Sequence, residues 1–362
     1  MNERNENSLT TASVKYLYDG MVVQDDIYDA DERLLVKSGN VLTAVQLERI
    51  KNLNSGRDTI YVTSRTRKAM MSKRPNIDID SRLEVEKATG YTEAKDETFE
   101  LLDKITNEKV LQQEALQSLS DDLSNRLEQT SPATIMSLIN APAPADEYLQ
   151  RHSMNVSLLN GLFGKWTELR KSDIDLLVLI GLLHDCGKTL LPSMVLNAPR
   201  KLTLTEFEVV KMHAVYSFDL LAEFPESVRR AARLHHERLN GTGYPDRLYS
   251  DDIPLEARIT AVSDIYDAMV SQRSYREPQS PFAVLKHLTD LSGAELDDKI
   301  VRIFVDKLPK ELINKPVTMS DGTIGIIREF DPEDILYPMV EVSGRVIRSN
   351  ENLHCVSMYC DE

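Results

Sequence analysis

The sequence predicts a mainly α-helical protein in which a helical bundle lies between small β-rich segments at the N- and C-terminus. From residue 148 to about residue 308, apolar residues recur every three or four positions, the spacing of one face of an α-helix. Near both ends of the chain, β-branched and aromatic residues occur in short runs between turn-forming residues, which is typical of strands. With 362 residues and 41% hydrophobic content, the chain can bury a sizeable core without disulfides.

Residues 1–65 are predicted to form a small β-rich accessory domain. Its strands are expected within residues 14–29 and 58–64, with a turn at 29–35 between them. Residues 42–53 have the apolar spacing of a short helix, and Thr43 is suited to cap it. Nothing in this segment indicates a reaction, so we interpret it as a structural or interaction module.

Residues 66–140 are predicted to form an amphipathic helical linker. Within residues 96–129, charged residues are dense and apolar residues recur every three or four positions, which indicates a pair of amphipathic helices. Proline and alanine interrupt the pattern at residues 140–147, and a new helix is expected to start after them.

Residues 141–308 are predicted to form a helical catalytic domain. Helices are expected near residues 147–164, 173–186, 204–222, 226–238, 254–272 and 280–292. Residues 239–252 are rich in Gly, Asp and Pro and are expected to form an ordered loop. Residues 309–362 are predicted to be β-rich from Lys315 onward, with a turn at Ser320–Gly322 between two strands.

The composition excludes several classes of function. The formal net charge of −15 disfavours nucleic-acid polymers and anionic membrane surfaces as partners, whereas a local metal ion can still attract a small phosphorylated ligand. Three cysteines do not suggest a disulfide framework. The N-terminus lacks an apolar signal core and no apolar run is long enough to span a bilayer, so a cytoplasmic protein is expected.

Imidazole and carboxylate side chains are concentrated in the predicted helical domain. Five of the seven histidines lie between residues 152 and 236, on successive predicted helices. Burying these polar groups without partners would cost roughly 1–3 kcal/mol each. A shared metal removes that cost, and the set exceeds what one ion binds, so two ions are predicted. The candidate ligands are His152, His184, Asp185, His213, His235, His236 and Asp264.

Lys188 is a candidate catalytic residue next to these ligands. It follows Asp185 by three residues, and Gly187 between them adds no side chain. A lysine in this position is suited to neutralise charge on a phosphate oxygen.

Three segments of the predicted helical domain resemble the HD-GYP subclass of HD-domain phosphohydrolases. They are LLHDCGKTLLP, ARLHHERLNGTGYPDRL and IPLEARITAVSDIYDAMVSQRSYR, and the resemblance covers roughly residues 145–295. An HD pair alone is weak evidence, but HDxGK, HHE, GTGYP and DxYDAxxxxRxY in this order form a specific pattern. The resemblance implies a helical HD-type bundle that hydrolyses cyclic di-GMP to linear pGpG, or on to GMP, through a metal-bridged hydroxide.

The resemblance also assigns roles to individual residues. It implies that the seven candidate ligands hold a di- or trinuclear iron or manganese centre bridged by Asp185; nickel and zinc are the other candidates. Members with a third ion have a Glu one turn before the first histidine. Here Tyr148 occupies that position and Glu147 lies beside it, which favours two ions.

Substrate contacts are expected from two segments. Gly241 and Gly243 allow a close approach of the backbone, and Tyr244 beside Pro245 is suited to stack on a guanine. Arg273 and Arg276 resemble the basic pair with which the family contacts phosphate.

Other functions remain open from the sequence alone. The chain could act on 3′,3′-cyclic GMP–AMP, or on other nucleotides such as dNTPs and guanosine polyphosphates. It could also be a non-catalytic cyclic-dinucleotide receptor, although its complete set of ligands favours catalysis. Diguanylate cyclases and other signalling proteins are the candidate protein partners, and the sequence does not indicate an oligomeric state.

Overall fold

A computed structural model gives the fold. It describes residues 9–13, 23, 26–28, 33–38, 40, 42, 50, 59–63, 90–108, 112–140, 148–196, 198, 200–271, 279–342 and 344–358. As the sequence predicts, these residues form a mainly helical protein with a small antiparallel sheet near each end.

The N-terminal sheet contains four antiparallel strands. They are β1 (Leu9–Ser13), β2 (Ile27–Tyr28), β3 (Leu34–Val36) and β4 (Thr59–Thr63), in the spatial order β1-β4-β2-β3. The predicted turn at 29–35 is too long, because Leu34 and Leu35 already belong to β3. Most of the helix predicted at 42–53 lies outside the described residues.

Three helices precede the predicted catalytic domain: α1 (Tyr91–Glu108), α2 (Gln113–Gln129) and α3 (Pro132–Ile139). The first two are the expected amphipathic pair. The third was not predicted; the hydroxyl of Ser131 accepts a hydrogen bond from the Thr134 backbone, and Pro132 occupies the first turn. All three contribute buried residues to the same core as the helices that follow, and the division of the chain into a linker and a catalytic domain stays a prediction.

The remaining helices build the rest of the bundle. They are α4 (Tyr148–Trp166), α5 (Lys171–Leu183), α6 (Ser193–Leu196), α7 (Leu204–Leu220), α8 (Glu226–Leu234), α9 (Leu255–Val270), α10 (Pro281–Leu291) and α11 (Asp298–Glu311), with 3₁₀ turns at Cys186–Leu190 and Ser250–Asp252. None of the helices among the described residues is long and apolar enough to cross a membrane.

Helices α5 and α8 end earlier than predicted, at Leu183 and Leu234 rather than residues 186 and 238. Each end is followed by a pair of polar residues, His184–Asp185 or His235–His236. Neighbouring residues on a regular helix point about 100° apart. Leaving the helix at these pairs allows both side chains of a pair to face the same interior point.

Helices α4 and α5 lie in direct backbone contact at the centre of the bundle. A Cβ on Gly181 of α5 would lie 2.4 Å from the Cα of Ser157 on α4, so only glycine fits there. This contact sets the distance between His152, on α4, and His184, at the end of α5.

The C-terminal sheet packs on the bundle. Its strands are β5 (Pro316–Met319), β6 (Ile324–Glu329), β7 (Met339–Val342), β8 (Arg345–Arg348) and β9 (Cys355–Met358), all antiparallel in the order β8-β7-β6-β5-β9. The chain turns between β5 and β6 at Ser320–Gly322, as predicted. Val317, Ile327 and Val340 are fully buried and belong to the same core as the helices.

Candidate metal centre

The bundle brings all seven predicted ligands to one interior point. Asp185 lies at its middle. Its Oδ2 is 3.3 Å from the Nε2 atoms of both His152 and His184, and its Oδ1 is 3.2 Å from Nε2 of His213 and 3.8 Å from Nε2 of His235.

Asp264, on α9, closes the opposite side of the cluster. Its Oδ1 lies 3.2 Å from Nε2 of His152, and its Oδ2 lies 3.7 Å from Nδ1 of His236. The two carboxylates therefore face each other across His152, with the other histidines around them.

In four of the histidines, the ring nitrogen Nδ1, which faces away from the centre of the cluster, is held by a hydrogen bond. Nδ1 of His184, His213 and His235 lies 2.6–2.8 Å from the carbonyl oxygen three residues earlier in the chain. Nδ1 of His152 lies 2.7 Å from Oδ2 of Asp267. Because these oxygens only accept, the proton sits on Nδ1 and the lone pair of Nε2 points into the centre.

The inner atoms of the cluster fit a metal centre. The Nε2 atoms of His184, His213 and His235 and Oδ1 of Asp185 are buried and have no hydrogen-bond partner among the described residues. Such a concentration of unpartnered lone pairs is costly unless a cation accepts them. Six of the seven candidate ligands form two groups that share Asp185, one with His152 and His184 and the other with His213, His235 and His236, and Asp264 belongs to neither group.

The ionisation of the cluster also suits a cation. Burial would raise the pKa of Asp185, but Lys188 and His184 hold it well below its usual range. Burial would likewise raise the pKa of Asp264, but His152 and His236 hold it well below its usual range. Burial lowers the pKa of His235 to about 3, so this imidazole is neutral and free to donate its lone pair. Burial would also lower the pKa of His152, but the carboxylates of Asp185, Asp264 and Asp267 around it raise that pKa to about 10, and a cation at the centre would take the place of the proton on Nε2. The excess of negative charge that causes this is what a cation would balance.

Lys188 lies beside the carboxylate that the two ligand groups share. Its ammonium group contacts Oδ2 of Asp185 and is partly exposed. The 3₁₀ turn that carries it packs tightly on α7, since a Cβ on Gly187 would lie 2.2 Å from the carbonyl oxygen of His213. Gly187 is thus required by this backbone contact, which the sequence did not reveal.

The loop at Gly241–Pro245 is held against the end of α8. A Cβ on Gly243 would lie 2.4 Å from the Cα of Glu237, so the loop backbone rests directly on the turn that carries His235 and His236. The buried carboxylate of Glu237 accepts hydrogen bonds from the backbones of Asp246, Arg247 and Leu248 at 2.7–3.0 Å. Glu237 is therefore a structural residue of the loop, and Tyr244 and Pro245 are joined by a cis peptide bond.

Tyr244 connects the loop to the metal cluster. Its ring stacks on His236 with the ring centroids 4.6 Å apart, and it meets Phe207 of α7 edge to face at 6.3 Å. The ammonium group of Lys211 lies 5.0 Å from the ring of Phe207 and 5.6 Å from that of Tyr244. A groove of about 360 Å³ opens here between the loop and α7. Phe207 and Lys211 were not predicted from the sequence, because nothing in it places this face of α7 against the loop.

Three residues named from the sequence lie outside the described residues: Glu147, Arg273 and Arg276. Tyr148 begins α4, one turn before His152, as its spacing implies. The number of ions and the phosphate contacts of the two arginines stay predictions.

Comparisons with known proteins agree with this geometry. A family model described as an HD domain matches residues 134–300. The chain is 32% identical over 214 residues to cyclic di-GMP phosphodiesterase PA4108 of Pseudomonas aeruginosa. The aligned residues cover 58% of this chain and 51% of that relative. It is 30% identical over 184 residues to 3′3′-cGAMP-specific phosphodiesterase 2 of Vibrio cholerae, covering 50% of this chain and 35% of the relative. The chain thus spans about half or less of the length of these relatives.

A solved structure supports the fold. Bd1817, an HDG"Y"P protein from Bdellovibrio bacteriovorus, matches with a TM-score of 0.51 and 16% identity. The match covers 83% of this chain and 100% of the other. At this identity the likeness concerns the arrangement of the backbone alone.

Proposed function

We propose that this chain, whose residues 134–300 match an HD domain, is a metal-dependent phosphodiesterase of the HD-GYP subclass that hydrolyses cyclic di-GMP to linear pGpG. The observation that carries the proposal is the set of unpartnered inner atoms, three imidazole Nε2 and one carboxylate Oδ1, buried at one point. An open groove lies next to them, lined by Tyr244, whose ring stacks on His236. Such a set suits a metal centre that reaches a substrate.

The arrangement of the ligands supports two ions bridged by Asp185. The two ligand groups share only this residue, and its two oxygens face different histidines. A donor set of imidazole and carboxylate suits iron and manganese first, and also accepts nickel or zinc. When bound, such ions supply a nucleophile by lowering the pKa of water and stabilise charge on phosphate oxygens.

The side chains around the centre would position the substrate. The ammonium group of Lys188 is partly exposed beside Asp185 and would pair with a non-bridging phosphate oxygen. Burial raises the pKa of Tyr244, so its hydroxyl stays protonated while its ring offers a face to a base. Lys211 lines the groove with its ammonium group 5.6 Å from the centre of the Tyr244 ring, and it would contact the second phosphate of a cyclic dinucleotide. Arg273 and Arg276 are proposed to add phosphate contacts from the segment after α9.

A second candidate substrate is 3′,3′-cyclic GMP–AMP. It is favoured by the 30% identity to a phosphodiesterase named for that substrate. Both substrates present the same phosphodiester to the metal centre and differ in one base, so the ligand residues do not distinguish them. A cytoplasmic location and diguanylate cyclases as partners stay predictions of the sequence.

The test is purification under anaerobic conditions, metal analysis, and chromatography of the products from a panel of substrates. The panel contains cyclic di-GMP, 3′,3′-cyclic GMP–AMP, cyclic di-AMP, a dNTP and a guanosine polyphosphate. We expect about two ions per chain and fastest conversion of cyclic di-GMP to pGpG. Fastest turnover of the mixed dinucleotide would select the second candidate. Tight binding of a cyclic dinucleotide without turnover by the metal-loaded protein would overturn the proposal in favour of a receptor.

A further inference from the structure

A chain of buried hydrogen bonds leads from the metal cluster to helix α1. His152 and Asn155 lie three residues apart on one face of α4 and both contact Asp267 of α9. Oδ2 of Asp267 lies 2.7 Å from Nδ1 of His152, and its Oδ1 accepts a 2.7 Å hydrogen bond from Nδ2 of Asn155. The hydroxyl of Tyr91, on α1, donates to Oδ1 of Asn155 at 2.6 Å.

The chemistry of these groups fixes one direction for the whole chain of bonds. A carboxylate only accepts, so Asn155 must turn its amino group toward Asp267 and its oxygen toward Tyr91. Tyr91 must then donate. On the other side, Asp267 accepts the proton of Nδ1 of His152, which leaves the lone pair of Nε2 directed into the cluster. All four side chains are at most 3% exposed, so water does not substitute for a missing partner.

His152 differs in this respect from three other histidines of the cluster. His184, His213 and His235 are oriented by backbone carbonyls three residues away, which move with the imidazole. The orientation of His152 instead depends on a side chain from α9, and through Asn155 on a residue of α1. Arg151 adds a second contact between the same helices, with its guanidinium carbon 5.3 Å from the centre of the Tyr91 ring.

We propose that Asp267, Asn155 and Tyr91 are positioning residues that set how tightly an ion is held at the His152 side of the cluster. The proposal rests on the metal centre of the proposed function. It adds that helix α1, which lies outside the matched HD domain of residues 134–300, controls metal occupancy. Displacing α1 removes the donor to Asn155, frees its amide to rotate, and weakens the hold of Asp267 on His152.

The test is titration of Mn²⁺ into the metal-free full-length chain, with unbound Mn²⁺ measured by its electron paramagnetic resonance signal. Wild type is expected to bind two ions. Asp267→Asn is expected to weaken one of the two sites about 10- to 100-fold, as outer-shell changes at metal sites do. Tyr91→Phe removes one hydrogen bond and is expected to weaken the same site about two- to tenfold.

Tyr266→Phe is the matched control. Tyr266 is also fully buried, and its hydroxyl also donates to an asparagine, Asn140, at 2.9 Å, but this bond is not one of the hydrogen bonds that lead from Tyr91 to His152. We expect it to leave both Mn²⁺ affinities within about twofold of wild type, even where it lowers the unfolding temperature as much as Tyr91→Phe does.

The possible outcomes distinguish the proposed positioning role of Tyr91, Asn155 and Asp267, here called the relay, from the existence of the metal centre itself. If Tyr266→Phe weakens Mn²⁺ binding as much as Tyr91→Phe, the effect is one of general packing and the relay is wrong. If wild type binds two ions and Tyr91→Phe and Asp267→Asn bind them equally well, the relay fails while the metal centre stands. If wild type binds no Mn²⁺, both fail. Tyr91→Phe keeps the test decisive should Asp267→Asn not fold.

Discussion

Asp185 is the residue on which the cluster depends most. Its two oxygens face four imidazoles and an ammonium group. The residues that orient these imidazoles are less visible in a sequence. Asp267 follows Asp264 by three residues, so both lie on one face of the same helix. This spacing is the signal in the sequence that could have identified Asp267 as a neighbour of the metal ligands.

Replacement of Asp185 by alanine is expected to abolish both metal loading and hydrolysis. The substitution removes the ligand common to both groups and leaves Lys188 without its buried partner. Metal content per chain and the rate of pGpG formation measure the effect, which we expect to exceed about 100-fold in rate. His184→Ala should behave in the same way.

His287→Ala is the control for these substitutions. This histidine is exposed on α10, away from the cluster, so it should keep wild-type metal content and rate. An Asp185→Ala protein with full metal content and normal turnover would show that the centre lies elsewhere.

Among the elements, the ends of helices and the loop after α8 determine the site more than the helices themselves do. The sequence predicts the helices near 173–186 and 226–238, but not that both end where a pair of polar residues must face inward. The Gly241–Pro245 loop is likewise held by contacts that its own sequence does not predict. It packs on the backbone of Glu237, and the Glu237 carboxylate accepts hydrogen bonds from the backbone that follows the loop.

Gly243→Ala is expected to raise the KM for cyclic di-GMP while leaving metal content unchanged. The new Cβ would meet backbone atoms of Glu237 and Arg238 at 2.4–2.5 Å, which cannot move aside as a flexible side chain can. The loop must shift, and Tyr244 shifts with it. Steady-state kinetics on the metal-loaded protein measure the change, expected to be about tenfold or more since a displaced contact costs on the order of 1–3 kcal/mol.

Gly325→Ala in β6 is a suitable comparison. Its Cβ would also be crowded, at 2.2 Å from a methyl group of Val340, but in the C-terminal sheet. It should lower stability without altering KM, whereas an unchanged KM in Gly243→Ala would remove the loop from the substrate site.

At the scale of the whole molecule, the metal cluster places several buried polar groups without hydrogen-bond partners inside a continuous hydrophobic core. This core runs from α1 through the bundle to the C-terminal sheet, so it includes residues that the family match at 134–300 does not cover. A cation bound at the centre of the cluster therefore stabilises the entire fold and not only the site.

Removal of metal is expected to lower the unfolding temperature. Binding to the folded state alone stabilises it by about 2.7 kcal/mol when free ion is at 100 times its Kd, which corresponds to a shift of roughly 3–4 °C in a chain of 362 residues. Calorimetry of the protein with a chelator and with added Mn²⁺ measures the difference. Asp185→Ala should show no such difference, and an equal response in both proteins would indicate a metal site outside the cluster.

The sequence by itself determined the helical class, the β-rich ends and the seven candidate ligands, because apolar periodicity and the rarity of histidine are properties of the chain. The tertiary structure decided which nitrogen of each imidazole faces the centre, that Glu237 holds a loop, and that Tyr91 on α1 reaches His152 through Asn155 and Asp267. These contacts join residues up to 115 positions apart, and no local pattern specifies them. They arise only when packing of the helices brings the faces of α1, α4 and α9 together.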